Sequence, residues 1–304
     1  MGSLPRLLDS IDAQSLKPAE TVICDGGSTD GTLELLKSWQ SNRSKVKLIE
    51  HPGANIAAGR NAAIEKCQST IICVTDGGCV LDKNWLKTIS QPLLDSDGSL
   101  GVVYGKTVPI GHGVIGRQFS AFYDAKTRLH STETELSSRA VAFRRSVWES
   151  TGGYPEWLTL AGEDTYFFRQ LAKVTNSIFV EGAIVYWHHE AESLRKIYRQ
   201  QFRNSTAAGE LNTWPPLRYQ FLFGLYAAIV AGLITSLWKQ RAAIASLILL
   251  TATTSRQAPS MFRIKNKSAL AFGLLPPIAF ARDLGMIRGY LAGQKIRKAG
   301  ADPS

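Results

Sequence analysis

Three acidic clusters stand where their neighbours could turn a carboxylate to chemical use. The first, Asp25-Gly26-Gly27-Ser28-Thr29-Asp30-Gly31-Thr32, directly follows the β-branched run Thr21 to Cys24. In open α/β sheets ligands bind beyond the carboxyl ends of the strands. Asp25 stands at such an end, and the glycines beside it let a flat base or a ribose approach the backbone. The second, Thr75-Asp76-Gly77-Gly78-Cys79, follows the apolar run Ile71 to Val74. A lone carboxylate there can hold a ribose or a divalent metal carried on a diphosphate. The third, Gly162-Glu163-Asp164-Thr165, opens a helical stretch through Tyr166-Phe167-Phe168-Arg169. Acids are favoured in a first helical turn by the helix dipole, and a positioned carboxylate can also take the proton of an attacking hydroxyl. Taken singly, the first two also read as strand-to-helix turns and the third as a helix cap.

The elements that must position these clusters alternate short β-branched runs with helical patterns, which predicts a mostly parallel, helix-covered sheet. Strands are expected at Thr21 to Cys24, Val46 to Glu50, Ile71 to Thr75, Gly101 to Pro109, Arg139 to Phe143 and Ile178 to Trp187. Helices are expected at Leu4 to Gln14, Gly31 to Gln40, Ile56 to Gln68, Lys83 to Leu94 and from Glu163 to Val174, with a turn at Gly152-Gly153. Ser28, Thr29 and Asp30 lie where the second of these helices needs an N-cap.

Composition bounds the function. The chain of 304 residues is 44% hydrophobic and 20% charged, with a net charge of +10. That charge is confined to one region. From Leu211 onward 12 Lys or Arg face two acids, Asp283 and Asp302, whereas the first 210 residues carry 23 of each sign. The same basic region holds the apolar runs Phe221 to Trp238, Ala242 to Thr254 and Ala269 to Ala281, the last containing Pro276-Pro277 and expected to be kinked or re-entrant. Basic residues flanking apolar runs suit a membrane face with anionic lipid better than a nucleic-acid groove. The division expected is a catalytic domain over residues 1–210 and a membrane-associated helical region over 211–304. Cys24, Cys67, Cys73 and Cys79 form no paired motif and read as free thiols of a reducing compartment.

Together the three clusters, in this order, resemble the inverting family-2 glycosyltransferases, and the resemblance runs from the first helix to about Gly209. It implies a GT-A fold, the nucleotide-diphospho-sugar transferase architecture with a Rossmann-like mixed sheet and flanking helices, followed here by C-terminal hydrophobic helices. Asp25 then matches the acid that recognises the base, and Arg60, in Ala-Ala-Gly-Arg60-Asn61, the arginine near base or diphosphate. Asp76 matches the first acid of the Asp-Xaa-Asp motif for nucleotide and metal, and Asp164 the catalytic base, with Glu163 beside it on the acceptor side. Gln200 and Arg203, in Arg-Gln-Gln-Phe-Arg, look like the Gln-Xaa-Xaa-Arg element near the acceptor, although Asn204 replaces the usual tryptophan. The resemblance also implies Mg²⁺ or Mn²⁺, a nucleoside-diphosphate-sugar donor and a hydroxyl acceptor, lipid-linked or part of an envelope glycan. The donor pool and the basic flanks put the catalytic domain on the cytoplasmic side of an inner or plasma membrane, and the charge-neutral first 210 residues leave little room for a nucleic-acid partner. The segment Arg139 to Tyr154 would help form the acceptor side, where Trp148 and Trp157 either stack on a sugar or pack in the core.

Two departures from the family pattern matter. Gly78 stands in place of the second acid of Asp-Xaa-Asp, which removes a hard oxygen ligand; His188 or His189 would be the substitute. The family's opening strand, central in its sheet and preceding the helix at Leu4, has no counterpart in the sequence, so an N-terminally truncated catalytic domain is expected. A degenerate relative that binds nucleotide or a partner at the membrane is the alternative reading. A nucleotide-sugar pyrophosphorylase is disfavoured because no glycine-rich, lysine-bearing N-terminal loop is present.

Overall fold

The computed structural model describes residues 3–129, 136–158, 160–212, 224–229, 231 and 275–299. They form two units, Met1–Pro109 with His130–His188, and Ile110–Leu129 with His189–Ser304. In chain order the first unit begins with α1 (Leu4–Asp12), which carries Pro5 in its first turn, where a missing N–H costs no helical bond. Then come β1 (Thr21–Asp25), α2 (Thr32–Gln40) and β2 (Val46–Glu50). β1 and β2 pair in parallel from Thr21 opposite Val46 to Asp25 opposite Glu50, as a helical crossover requires. The N-cap of α2 is Gly31 at φ +83°, so the cap falls one residue beyond the expected Ser28 to Asp30. Asp30 nevertheless accepts the Thr32 N–H through Oδ1 at 3.2 Å.

α3 (Ile56–Lys66) is capped by Asn55, whose Oδ1 accepts the Ala58 N–H. It leads to β3 (Ile71–Val74), β4 (Cys79–Leu81), α4 (Trp85–Asp95) and β5 (Leu100–Ile110). After α5 (Gly113–Leu129) of the second unit, the chain returns as β6 (Val141–Arg144), α6 (Arg145–Ser150), α7 (Glu163–Val174) and β7 (Asn176–His188). These strands form a five-stranded sheet in the order β3-β6-β5-β7-β4, separate from the β1-β2 pair. Its β3–β6, β5–β6 and β4–β7 pairings are antiparallel. The mostly parallel sheet read from strand–helix alternation is therefore revised to a mixed one. Short runs carry no direction in their sequence, and β6 reverses the chain between β3 and β5.

The five-stranded sheet is buried on both faces by period-two alternation. Val102, Tyr104, Val141 and Phe143 pack with Phe167, Phe168 and Leu171 of α7. Val103 and Ala142 face the other way, onto Ile89 and Leu93 of α4. Between β1 and β3 lies a cleft of about 930 Å³, walled by β1 and β3 and lined by side chains of α1, α3 and α4, among them Leu7, Ile64 and Trp85. Among the described residues β1 pairs with β2 alone and β3 with β6 alone, so each presents a strand edge to this cleft.

In the second unit α8 (Leu194–Glu210) packs along α9 (Leu275–Lys298). The seam is made by Gly285, Gly289 and Gly293 of α9. A Cβ at any of them would strike the carbonyl oxygen of Tyr198, Phe202 or Thr206 respectively. Phe119 of α5, Ile197 of α8 and Ile278 of α9 form a core there. The unit boundary at His188 thus assigns α8 to the second unit, where the sequence suggested a division near residue 210. Pro276 and Pro277 lie at the start of the described part of α9, and residues 269–274 of the third apolar run lie outside the described residues. No helix among the described residues is long and apolar enough to cross a membrane. Ala242 to Thr254, and Phe221 to Trp238 apart from 224–229 and 231, lie outside the described residues.

The base of the first unit is tied by Glu20. Its Oε1 accepts the N–H groups of Gln68 and Ser69 and the Ser69 hydroxyl, and its Oε2 pairs with Lys47 at 2.7 Å. Burial alone would raise the Glu20 carboxyl, but Lys47 and these donors outweigh it and bring it from 4.5 to about 2. Glu20→Ala is expected to cost about 1–2 kcal/mol, seen as a lower urea midpoint. Because the folded-state value is depressed, the wild-type contribution is complete above pH 4.5. It fades as pH falls towards 2, so the gap between wild type and variant should close over that window.

Candidate active site

Arg60 joins three parts of the first unit. From α3 its Nη2 donates to Asp76 Oδ1, after β3, and its Nη1 to Glu163 Oε1, at the start of α7, both at 2.7 Å. The guanidinium lies 5.3 Å from the centre of the Tyr154 ring, and only 12% of the side chain is exposed. Although burial opposes the charge, Asp76, Tyr154 and Glu163 hold the proton on Arg60 more tightly than usual. Burial would likewise raise Asp76, but Arg60 and then Arg139 prevail and keep it ionised.

The neighbouring Asn61 fixes the loop that carries Tyr154. Its Nδ2 donates to the Tyr154 carbonyl and to Glu156 Oε1, both at 2.8 Å. Its Oδ1 accepts the Tyr154 N–H at 2.9 Å and Trp148 Nε1 at 3.2 Å. All four hydrogen-bonding positions of the amide are thus used. Gly153 is required at this point: its φ is +78°, and a Cβ would lie 2.8 Å from Asn61 Oδ1. Trp148 is therefore part of the buried core, while Trp157 is 40% exposed and meets Tyr166 edge-on.

Gly162, at φ +91°, turns the chain into α7 and delivers Glu163 and Asp164 at its first turn. Asp164 Oδ1 accepts the Thr165 N–H at 2.8 Å. Burial, and then repulsion from Glu163, raise the Asp164 carboxyl above its ordinary range despite Arg60 and Arg139. A carboxylate so placed is a stronger base than a free aspartate.

Asp25 is 5% exposed, and its Oδ2 accepts the N–H groups of Gly27 and Ser28 at 2.9 Å. Burial opposes these bonds, but with the Ser28 side chain they hold the Asp25 carboxyl below its usual value. Its carboxylate thus shapes the loop at the end of β1, and Asp25, Arg60 and Asp76 line the same cleft. Of the residues singled out in the sequence, Arg60, Asp76 and Glu163 are in direct contact, with Asp164 adjacent. Gln200 and Arg203 lie on α8 in the second unit, Gln200 half-buried and Arg203 exposed. His189 is also in that unit. Its Nδ1 accepts the Ala191 N–H, which leaves Nε2 to donate to Ser120 Oγ at 2.7 Å. His188 ends β7, where its N–H donates to the Gly78 carbonyl at 2.9 Å.

Sequence reading put Arg139 and Tyr154 in a segment on the acceptor side and named Asn61 only as the neighbour of Arg60; their contacts with the Arg60–Asp76 network were not foreseen. Arg139 Nε lies 3.9 Å from Asp76 Oδ2, and its guanidinium is 4.0 Å from the centre of the Trp187 ring. The available signal was an arginine just ahead of an apolar run, which does not tell which strand end it will meet. No three His, Cys, Asp or Glu side chains among the described residues converge on a point that could hold a metal. Asp76 offers one hard oxygen ligand, and Mg²⁺ is commonly held by one or two carboxylates plus substrate phosphates. The residues therefore fit a cation brought in on a diphosphate, not one caged by protein.

Residues 2–151 match the family model described as Glycosyl transferase family 2. The chain is 25% identical over 217 residues to an O-antigen chain rhamnosyltransferase of Salmonella typhimurium, covering 66% of this chain and 67% of that protein. It is 24% identical over 168 residues to a chondroitin synthase of Pasteurella multocida, covering 55% of this chain but only 17% of that much longer one. A mannosyltransferase of Pyrobaculum calidifontis, solved in complex with GDP-Man and Mn²⁺, shares the fold. Its TM-score is 0.56 at 18% identity, over 98% of this chain and 84% of that one. The match of residues 2–151 to the glycosyl transferase family 2 model, the glycosyltransferases among the relatives and the GT-A-like mixed α/β fold together identify the chain as a glycosyltransferase.

Proposed function

We propose that the protein transfers a sugar, with inversion, from a nucleoside-diphosphate sugar to a hydroxyl of a growing envelope glycan or glycolipid. The observation that carries this reading is Asp164, a carboxylate made basic by its surroundings, held beside the Arg60–Asp76–Glu163 network at the end of a cleft. In the reaction Asp164 takes the acceptor's hydroxyl proton as the oxygen bonds to the anomeric carbon. The bond from that carbon to the diphosphate breaks on the opposite face, and the diphosphate leaves with the electron pair. Arg60 and Asp76 position the nucleotide, Glu163 holds Arg60, and Asp25 shapes the loop that meets the base. Mg²⁺ or Mn²⁺ on the diphosphate, with Asp76 as its protein ligand, would offset the charge that develops on the leaving group. The rhamnosyltransferase and chondroitin synthase among the relatives support a polysaccharide acceptor.

The reading includes two further parts. The basic, apolar region after Leu211 attaches the protein to the cytoplasmic face of a membrane, where the acceptor would be lipid-linked. Failure of the full chain to bind vesicles containing phosphatidylglycerol would remove this part. The cleft between β1 and β3 accepts one more extended strand, the family's first, leading into α1. The Ser3 hydroxyl donates to the Gly77 carbonyl at 3.1 Å, so α1 starts at the carboxyl end of β3. A strand entering α1 from the cleft would therefore run parallel to β3. In a chain extended by such a strand, the amides of β1 and β3 should exchange at least about tenfold more slowly, which corresponds to about 1.4 kcal/mol. Unchanged exchange would argue against the added strand.

A non-catalytic relative is the second reading, favoured by Gly78. Asp164→Asn separates the two. Loss of a general base typically costs about 10²–10⁴ in rate, so kcat should fall by that factor while nucleotide affinity stays constant. In the wild type, kcat should rise with pH through a value above that of an ordinary aspartate and then level off, since only the ionised carboxylate accepts a proton. Wild-type turnover by Asp164→Asn would overturn the assignment, and absence of turnover by both proteins would favour the non-catalytic reading.

A further inference from the structure

Asp76 stands between two guanidinium groups that are held differently. Its Oδ1 meets Arg60, whose other arm is bound to Glu163, so that arginine is committed at both ends by bonds of 2.7 Å. Its Oδ2 faces Arg139 at the longer distance of 3.9 Å. Arg139 precedes β6 and is oriented by the face of Trp187, 4.0 Å away, and by a bond from Nη1 to Ser137 Oγ at 2.8 Å. Its side chain is 23% exposed, about twice the figure for Arg60. A guanidinium stacked on an aromatic face keeps its N–H groups in its own plane, directed at acceptors around the edge.

The same indole borders Gly78. A Cβ at position 78 would lie 3.8 Å from Trp187 Cδ1 and 3.9 Å from Nε1, an ordinary contact. There is thus room for a side chain at position 78, and the glycine places no carboxylate beside Trp187 there. Building on the donor-site reading above, we infer that Arg139 is a diphosphate-binding residue, stacked on Trp187 beside Asp76. It supplies fixed positive charge on the side of the site where the second acid of Asp-Xaa-Asp is replaced by Gly78. Its partner is a pyrophosphate group bearing a nucleoside, bound by charge-assisted hydrogen bonds whose loss lowers affinity about tenfold or more.

The test is calorimetric titration of the full chain with UDP, GDP and dTDP and with the matching monophosphates, in EDTA and in Mn²⁺. The wild type should bind a diphosphate in EDTA. Arg139→Ala should weaken that binding about tenfold while leaving monophosphate binding within about twofold, and Arg139→Lys should recover part of the loss. Gly78→Asp, which places a carboxylate beside Trp187 to compete for the guanidinium, should weaken binding in EDTA and make it depend on Mn²⁺. Gly78→Ala should behave as wild type. Equal loss of mono- and diphosphate binding in Arg139→Ala, with no recovery by lysine, would mean that Arg139 merely supports the local structure and would overturn the inference. So would unchanged diphosphate affinity in that variant. Failure of the wild type to bind any of the nucleotides would remove the donor-site reading itself, and this inference with it.

Discussion

A cation withdrawn from water must be paired, and the first unit is arranged around that requirement at Arg60. A buried guanidinium with one partner removed leaves an uncompensated charge, which costs several kcal/mol. The pairing to Asp76 and Glu163 therefore constrains the turn after β3 and the start of α7 to meet at the side of α3. Asn55 caps α3, Asn61 locks the 148–156 loop against it, and Gly153 and Gly162 supply the two left-handed turns the route needs. The catalytic proposal depends on the same constraint. Asp164 is half-buried, and desolvation with repulsion from Glu163 outweighs the attraction of Arg60 and Arg139.

The two short sheets set the shape of this unit. Parallel strands are normally covered on both faces and joined to neighbours on both edges. β1 and β3 instead face each other across an apolar cleft whose carboxyl end carries Asp25 and Asp76. The floor of the candidate donor site and the edge of the sheet are thus one feature. Whatever lies in the cleft bears both on stability and on the geometry with which the nucleotide is met. The second unit has its own logic: α8 and α9 approach until backbone meets backbone, which only the glycines at positions 285, 289 and 293 permit.

Most strand and helix positions were legible from local pattern, because alternation and 3.6-residue periodicity report which face is buried. Strand direction was not legible. The reversal at β6 depends on how the chain crosses the sheet, which short apolar runs do not encode. The start of α2 shifted because a left-handed glycine, Gly31, took the cap from Asp30.

At the site, the sequence by itself determined the chemistry on offer: carboxylates at strand ends, an acid pair at a helix start, an arginine in a helix and a glycine in place of a second acid. Those residue types and their order were enough to point to a glycosyltransferase. The tertiary structure alone decided which charges meet. Arg60, Asp76 and Glu163 come from three separated segments, and the pairing that burial forces on them has no local signature. Arg139 reads as the start of a strand until the sheet brings Trp187 and Asp76 to its side. Asp25 shows the reverse, since its bonds to Gly27 and Ser28 are local and follow directly from an acid placed before two glycines and a serine. Local rules fix backbone conformation and hydrogen bonds a few residues apart. The raised basicity of Asp164 arises first from desolvation and then from Glu163 beside it in the chain, and desolvation exists only once the chain is folded.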